Sequence, residues 1–317
     1  MRKLTLTSEP PQAARQGPEA VGKPEQPKEG ILERILFTSD LSPASKAALG
    51  YAARVARRTG ASLTGVHAFN VPRILPFDSS VSHGILAELN REYASQVERF
   101  FSDPLLDEVD FQVQRPTGPE EAVGRLVLEL KADISIVARH HQSSLETFFL
   151  GADMERILRL ALRPIWVVPE GGTRRTDWNP IICAVDFSGP SKEALAFAIR
   201  FSRDYSAPLI VMHVIDIRET EVEGAVNRAP AIGQILENAK TRTEQLVKRY
   251  GARRGTQSLL LTGSPAAKIL DTMEGFSSDL LVMGLHGDQV RGSEGLGHTA
   301  SEILRTADFP MILCPGA

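Results

Sequence analysis

Two cysteines in 317 residues cannot make a disulfide framework. Cys183 and Cys314 each lie in a short apolar run, where a thiol is expected to be a buried packing group. No apolar run approaches the ~20 residues that span a bilayer, which excludes a helical membrane anchor. The first residues lack the apolar stretch of a secretory signal, so a cytoplasmic location is expected. A net charge of −3 leaves no basic excess to draw nucleic acid or an anionic membrane. The chain has no G-x-x-x-x-G-K-[ST] and no G-x-G-x-x-G after a strand, so neither a Walker loop nor a dinucleotide fingerprint is present. No nucleophile–base pair and no carboxylate pair with a lysine stands out, so an enzyme is not expected.

What the chain does have is a copy of itself at an offset of 146 residues. Asp40 corresponds to Asp186, His67 to His213, Pro119 to Pro265, Asp133 to Asp279, Gly151 to Gly297 and Pro164 to Pro310. Between residues 40 and 67, 12 of 28 positions are identical to their counterparts without a gap. Chance would give about one match in fifteen. Two domains of roughly 140 residues each follow, a size that supports its own core.

Residues 1–29 carry five prolines, mixed charges and few large apolar residues, the composition of a disordered tail. Residues 171–178 read as a polar linker, which leaves domains at 30–170 and 179–317. In each, five short apolar runs alternate with amphipathic segments. The runs are Ile35–Ser39, Leu63–Ala68, Val109–Val113, Ile134–Ala138 and Ile165–Val168, and then Ile181–Val185, Leu209–Ile215, Ser258–Leu261, Leu280–Gly284 and Met311–Cys314. Consecutive rather than alternating apolar residues mark strands covered on both faces. Ala47, Leu49, Tyr51, Ala52 and Val55 recur at helical spacing, as do Ile232, Ile235, Leu236, Ala239, Leu246 and Val247. Ser42 and Pro43 are a cap and first-turn pair, and Pro119 and Pro265 open a later helix in each copy. The fold class is therefore α/β: two tandem Rossmann-like domains, each with a parallel sheet and helices on both faces. Ligands in such sheets bind outside the carboxyl ends of the strands.

In the second copy those ends carry Asp186-Phe187-Ser188 after strand one and Gly284-Leu285-His286-Gly287 after strand four. Nine residues later comes Gly297-His298-Thr299, at the start of the last helix. Glycines here are expected to let the backbone approach a ligand at positive φ, and a helix N-terminus suits an anion. Val185-Asp186-Phe187-Ser188, His213-Val214-Ile215-Asp216 and Gly284-x2-Gly287-x9-Gly297 together resemble the universal stress protein family, and more closely its ATP-binding branch. The resemblance covers residues 31–170 and 177–317. It implies an adenine nucleotide alpha hydrolase-like fold, five strands per domain in order 3-2-1-4-5. It also implies ATP or another adenine nucleotide, with Mg2+ carried by the nucleotide. Carried over by position, Asp186 and Val214 would flank adenine and ribose, and Ala184, Val185 and Ser188 are further expected nucleotide-binding residues. Met283, Gly284, His286, Gly287, Gly297, His298 and Thr299 would line the phosphates. His298 stands where the pattern has Ser or Thr, and Thr299 is one place further on.

The first copy departs further. Ala138 and His141 replace the first two glycines, and Ala152-Asp153 follows Gly151. An aspartate in a first helical turn complements the dipole by itself and repels phosphate. Nucleotide is thus expected in the second domain alone, in a stress-response sensor or regulator. The tandem is expected to pair internally as a pseudo-dimer through its last strands, to form a homodimer, and to regulate an unknown protein. The alternatives are a weak ATPase and an interaction module without nucleotide. His140-His141 reads as polar loop lining, since adjacent side chains point apart and no ligand-like spacing is nearby. His67 and His213 read as packed histidines bonded to backbone. Arg54, Arg57, Arg58, Arg200 and Arg203 read as solvated cations near helix C-termini. Leu145–Leu150 is apolar enough to pack against the last helix or another subunit.

Overall fold

In the computed structural model, the residues described are 4–7, 30–68, 91, 95, 100, 110–114, 119–139, 157–171, 175–216, 229–288 and 296–316. The chain forms two compact units that divide between His140 and His141. The first contains β1 (Leu4–Thr7), β2 (Arg34–Ser39), α1 (Pro43–Thr59), β3 (Ser62–Ala68), β4 (Asp110–Gln114), α2 (Pro119–Glu129) and β5 (Ile134–Arg139). These strands are all parallel, in the order β1-β4-β3-β2-β5.

The expected disordered tail is thereby corrected at one place. Leu4–Thr7 pairs with Phe111–Gln114 along the edge strand β4. Its Leu-Thr-Leu-Thr run is a period-two pattern with two β-branched residues, and an unpaired edge accepts such a strand. The surrounding prolines and charges dominate the composition of the tail and conceal it.

Local chemistry sets the helices. Ser42 caps α1 by accepting from Ser45 N–H at 3.1 Å, with Pro43 at the first position. Gly60, at φ +73°, ends it by donating to Ala56 C=O. Ala48, Leu49, Ala52, Val55 and Ala56 form the buried face of α1. Asp133 joins β5 to β2: its Oδ2 accepts from both Glu33 N–H and Arg34 N–H at 2.8 Å. Charge-assisted bonds of this kind are worth about 1.5 kcal/mol each, less where water competes. Asp133→Ala should therefore lower the stability of the first unit by about 1.5 kcal/mol in urea unfolding. An unchanged midpoint would show that this bridge adds nothing.

The second unit contains β6 (Ile165–Pro169), β7 (Ile181–Ala184), α3 (Gly189–Asp204), β8 (Leu209–Ile215), α4 (Ala229–Arg249) and β9 (Gln257–Thr262). It continues with α5 (Pro265–Gly275), β10 (Leu280–Gly284), α6 (His298–Thr306) and β11 (Met311–Cys314). The strand order is β6-β11-β10-β7-β8-β9, parallel throughout except where β6 meets β11. There Ile165, Trp166 and Val167 run antiparallel to Leu313, Ile312 and Met311. The fifth strand of the first repeat thus lies in the second compact unit. Every residue of β6 is buried, and an unpaired apolar edge of this kind would be an aggregation hazard.

The linker needs a second correction. Its last residue, Trp178, is fully buried at φ +51°. Its ring centroid lies 4.7 Å from Phe201, 6.0 Å from Trp166 and 5.6 Å from Tyr205. A charged stretch therefore ends in the largest side chain of the core. Cys183 and Cys314 are buried in β7 and β11, and burial pushes both thiols up, so they are packing groups. Arg57, Arg58, Arg200 and Arg203 are exposed, with three of them in a last helical turn. Among the described residues, no helix is long and apolar enough to cross a membrane. His140, His141, Leu145–Leu150, Gly151, Ala152 and Asp153 lie outside the described residues.

Candidate functional site

The site begins where β7 ends. Val185 is buried and its N–H still bonds Met212 C=O at 2.9 Å, continuing the ladder. The chain then turns sharply, with Phe187 at φ +67°, a costly conformation for a bulky residue. Leu41 does the same in the first repeat at φ +63°. The turn leaves the Asp186 side chain exposed at the carboxyl end of the strand. It is held there by Ser188, whose N–H donates to Asp186 Oδ1 at 3.0 Å and whose hydroxyl donates to the same oxygen. Ser188 is 2% exposed, and its oxygen also accepts from Ser191 N–H to cap α3. It therefore positions Asp186 rather than facing solvent itself.

His213, at the end of β8, packs beneath this turn. Its Nδ1 lies 2.7 Å from Val185 C=O. A carbonyl only accepts, so Nδ1 carries the hydrogen. Burial holds the imidazole below its ordinary pKa, against the opposing pull of that bond and of the Asp186 charge. The Phe187 ring packs against the His213 ring at 4.4 Å with the planes tilted by 48°, and the Arg242 guanidinium of α4 lies 4.2 Å above Phe187. His67 repeats the backbone bond with Ser39 C=O at 2.8 Å. Val214 and Ala184 are half-buried beside this layer.

The second wall comes from β10. Met283 is buried within the strand, and Gly284 is pressed against the start of α3. A Cβ on Gly284 would stand 2.8 Å from Ser191 N and 3.0 Å from Pro190 C and Cβ. A Cβ on Gly287 would stand 3.0 Å from Asp186 Oδ2, so glycine keeps the space before that carboxylate open. One on Gly297 would stand 2.9 Å from His286 Cα, and Gly297 N–H bonds Leu285 C=O at 2.9 Å. Asp186, His286, Gly287 and Gly297 are thus brought together, as the spacing suggested. The physical reason differs from the expected one. None of the three glycines adopts a positive φ, and Gly284 is required by helix packing.

Gly297 caps α6 without a side-chain hydrogen bond, which leaves the first N–H groups of that helix to face the glycine loop. His298 is exposed, with Nε2 3.7 Å from Glu302, and Thr299 is half-buried. Asp288 is a member of the site that the spacing did not reveal. Its Oδ1 accepts from Gly189 N–H at 3.1 Å, so the loop after β10 closes over the start of α3. An acidic residue directly after a glycine motif was the available signal. Among the described residues no group of three His, Cys, Asp or Glu could hold a metal.

A doubly wound sheet with a carboxylate, a glycine loop and an open helix N-terminus at its carboxyl end defines a small-ligand site of the α/β class. The sequence profile of the universal stress protein family matches residues 32–169 and 178–315, and the chain belongs to that family. A universal stress protein of Synechocystis is 27% identical over 187 residues, which is 58% of this chain and 59% of that protein. This chain thus spans well under two thirds of the length of that relative. One from Thermus aquaticus is 31% identical over 141 residues, 43% of this chain and 98% of that protein. Among solved structures, a universal stress protein of Archaeoglobus fulgidus superposes with a TM-score of 0.62 at 16% identity, covering 91% of this chain and 99% of that one.

Proposed function

We propose that the second repeat binds an adenine nucleotide and that the protein acts as a sensor or regulator in the stress response. The observation that carries this reading is the convergence of Asp186, Gly287 and the uncapped start of α6 at one end of the sheet. Asp186 is positioned to accept from ribose hydroxyls, since an ionised carboxylate is an acceptor only. Ala184, Val185 and Val214 form the layer beside it for the base. Met283, Gly284, His286, Gly287, Gly297, His298 and Thr299 surround the room for phosphate oxygens, where N–H groups and the helix dipole act together. Asp288 adds a negative charge close by, a feature that favours fewer phosphates over a triphosphate. Mg2+ would arrive with the nucleotide, held mainly by its phosphates. The first repeat, with Ala138 in place of Gly284, is a structural or regulatory partner.

The test is to denature freshly purified protein and analyse the released small molecules by absorbance and mass. Adenine nucleotide near one equivalent per chain is the expected result. Calorimetry with AMP and ATP should then show that Asp186→Ala binds about 100-fold more weakly, the loss of two bonds to a charged group. Equal affinity in that variant, or no nucleotide in either assay, would favour the interaction module. Release of ADP from added ATP would identify a weak ATPase.

A further inference from the structure

A cation of α4 borders the site without a carboxylate on its own helix face. The Arg242 guanidinium sits 4.2 Å over the Phe187 ring. A carboxylate three or four residues away along the helix would share that face and pair with it. Those positions hold Asn238, Ala239, Gln245 and Leu246. Among the described residues Arg242 forms no ion pair, and its partner is the ring of Phe187.

That contact belongs to an ordered layer. Phe187 directly follows Asp186, is 8% exposed, and is held at φ +67°. The His213 ring lies against it at 4.4 Å, and His213 precedes Val214, which borders the place for the base. Imidazole, phenyl and guanidinium follow one another outward, and the layer ends on an exposed, planar cation. The charge is felt inside: burial is the main influence that lowers the His213 pKa, and Arg242 lowers it further against the pull of Val185 C=O and Asp186.

The repeats differ at both members of the contact. At the offset of 146, Leu41 stands for Phe187 and Gln96 for Arg242. Leu41 takes the same turn at φ +63°, so the turn itself requires neither the ring nor the cation. Ring and cation occur together in the repeat that keeps the glycine loop, and both are replaced in the repeat that lacks it.

We propose that Arg242 is the specificity-determining residue for the base: backed by Phe187, its guanidinium presents its other face to a purine ring. This rests on the nucleotide reading of the second repeat. Adenine carries no charge for an arginine to pair with, but it offers a wide π face. A guanidinium is weakly hydrated and stacks on such faces, and the attraction strengthens when both groups leave water. A purine, with two fused rings, covers more of that plane than a pyrimidine does.

Calorimetry on the full chain with AMP, and with ribose 5-phosphate as competitor, separates base from ribose and phosphate. Arg242→Ala should weaken AMP about tenfold, the size of a desolvated cation–π contact, and leave ribose 5-phosphate unchanged. Arg242 is exposed on a helix and alanine is a strong helix former, so the variant keeps its fold. Arg242→Lys keeps the charge without the plane and should recover only about threefold of the loss. Phe187→Leu, which installs the side chain of the first repeat, should weaken AMP more than ribose 5-phosphate. Wild-type AMP affinity in Arg242→Ala, an equal loss for both ligands, or full recovery by lysine overturns the proposal while the nucleotide reading stands. Absence of AMP binding in the unmodified protein overturns both.

Discussion

Trp178→Ala is expected to destabilise the second unit by about 4 kcal/mol, the range for removing a fully buried indole. The residue has no accessible surface, and its ring touches Trp166, Phe201 and Tyr205. Trp166 comes from β6 and Phe201 from α3, so one side chain ties together the strand before the linker and the first helix after it. Aromatic pairs at these distances add about 0.5–1.5 kcal/mol beyond their buried area. Denaturant unfolding followed by Trp fluorescence and circular dichroism gives the measurement. Trp178→Phe should recover more than half of the loss, because the tilted packing survives while volume is lost. A loss below about 1 kcal/mol for alanine would mean that the segment from Arg175 to Trp178 detaches at little cost and is a true linker.

That residue marks where sequence reading stops being sufficient. The repeat, the alternating strands and helices, and the cap at Ser42 are local patterns with a fixed period or spacing, and they specify the sheet directly. Trp178 sits in Arg-Arg-Thr-Asp-Trp, where composition argues for solvent, and only tertiary contact decides for burial. The same limit applies to Leu4–Thr7, a strand made by its partner β4. In the site, spacing revealed which residues converge, because the carboxyl ends of adjacent parallel strands must lie together. It did not reveal the reason for each glycine, since a packing clash with Pro190 and Ser191 depends on how α3 crosses β10. Asp279 shows a third limit. Pro180 stands where the first repeat has Arg34, so one of the two N–H groups that hold Asp133 has no counterpart here, and the two residues, 99 positions apart, become neighbours only when β7 and β10 pair.

Gly284→Ala should therefore act first on stability and only through that on ligand binding. The added methyl would stand 2.8 Å from Ser191 N and 3.0 Å from Pro190, all on the first turn of α3 and none free to rotate away. Overpacking against backbone costs about 2 kcal/mol. The first repeat carries Ala138 at this position, so the start of α1 already clears a Cβ that the start of α3 does not. To relieve the clash α3 must move, and Ser188 at its cap holds Asp186 while Gly189 N–H holds Asp288. The carboxylate and the glycine loop would shift together, and AMP affinity should fall about tenfold or more. Gly287→Ala makes the instructive contrast. Its methyl would meet only the far end of the Asp186 side chain, at 3.0 Å, so ligand-free stability should change by less than about 0.5 kcal/mol while nucleotide affinity falls as sharply. Urea midpoints without nucleotide, set beside calorimetric affinities, separate the two glycines. If Gly284→Ala leaves the ligand-free midpoint in place, the glycine is kept for the ligand and not for the helix.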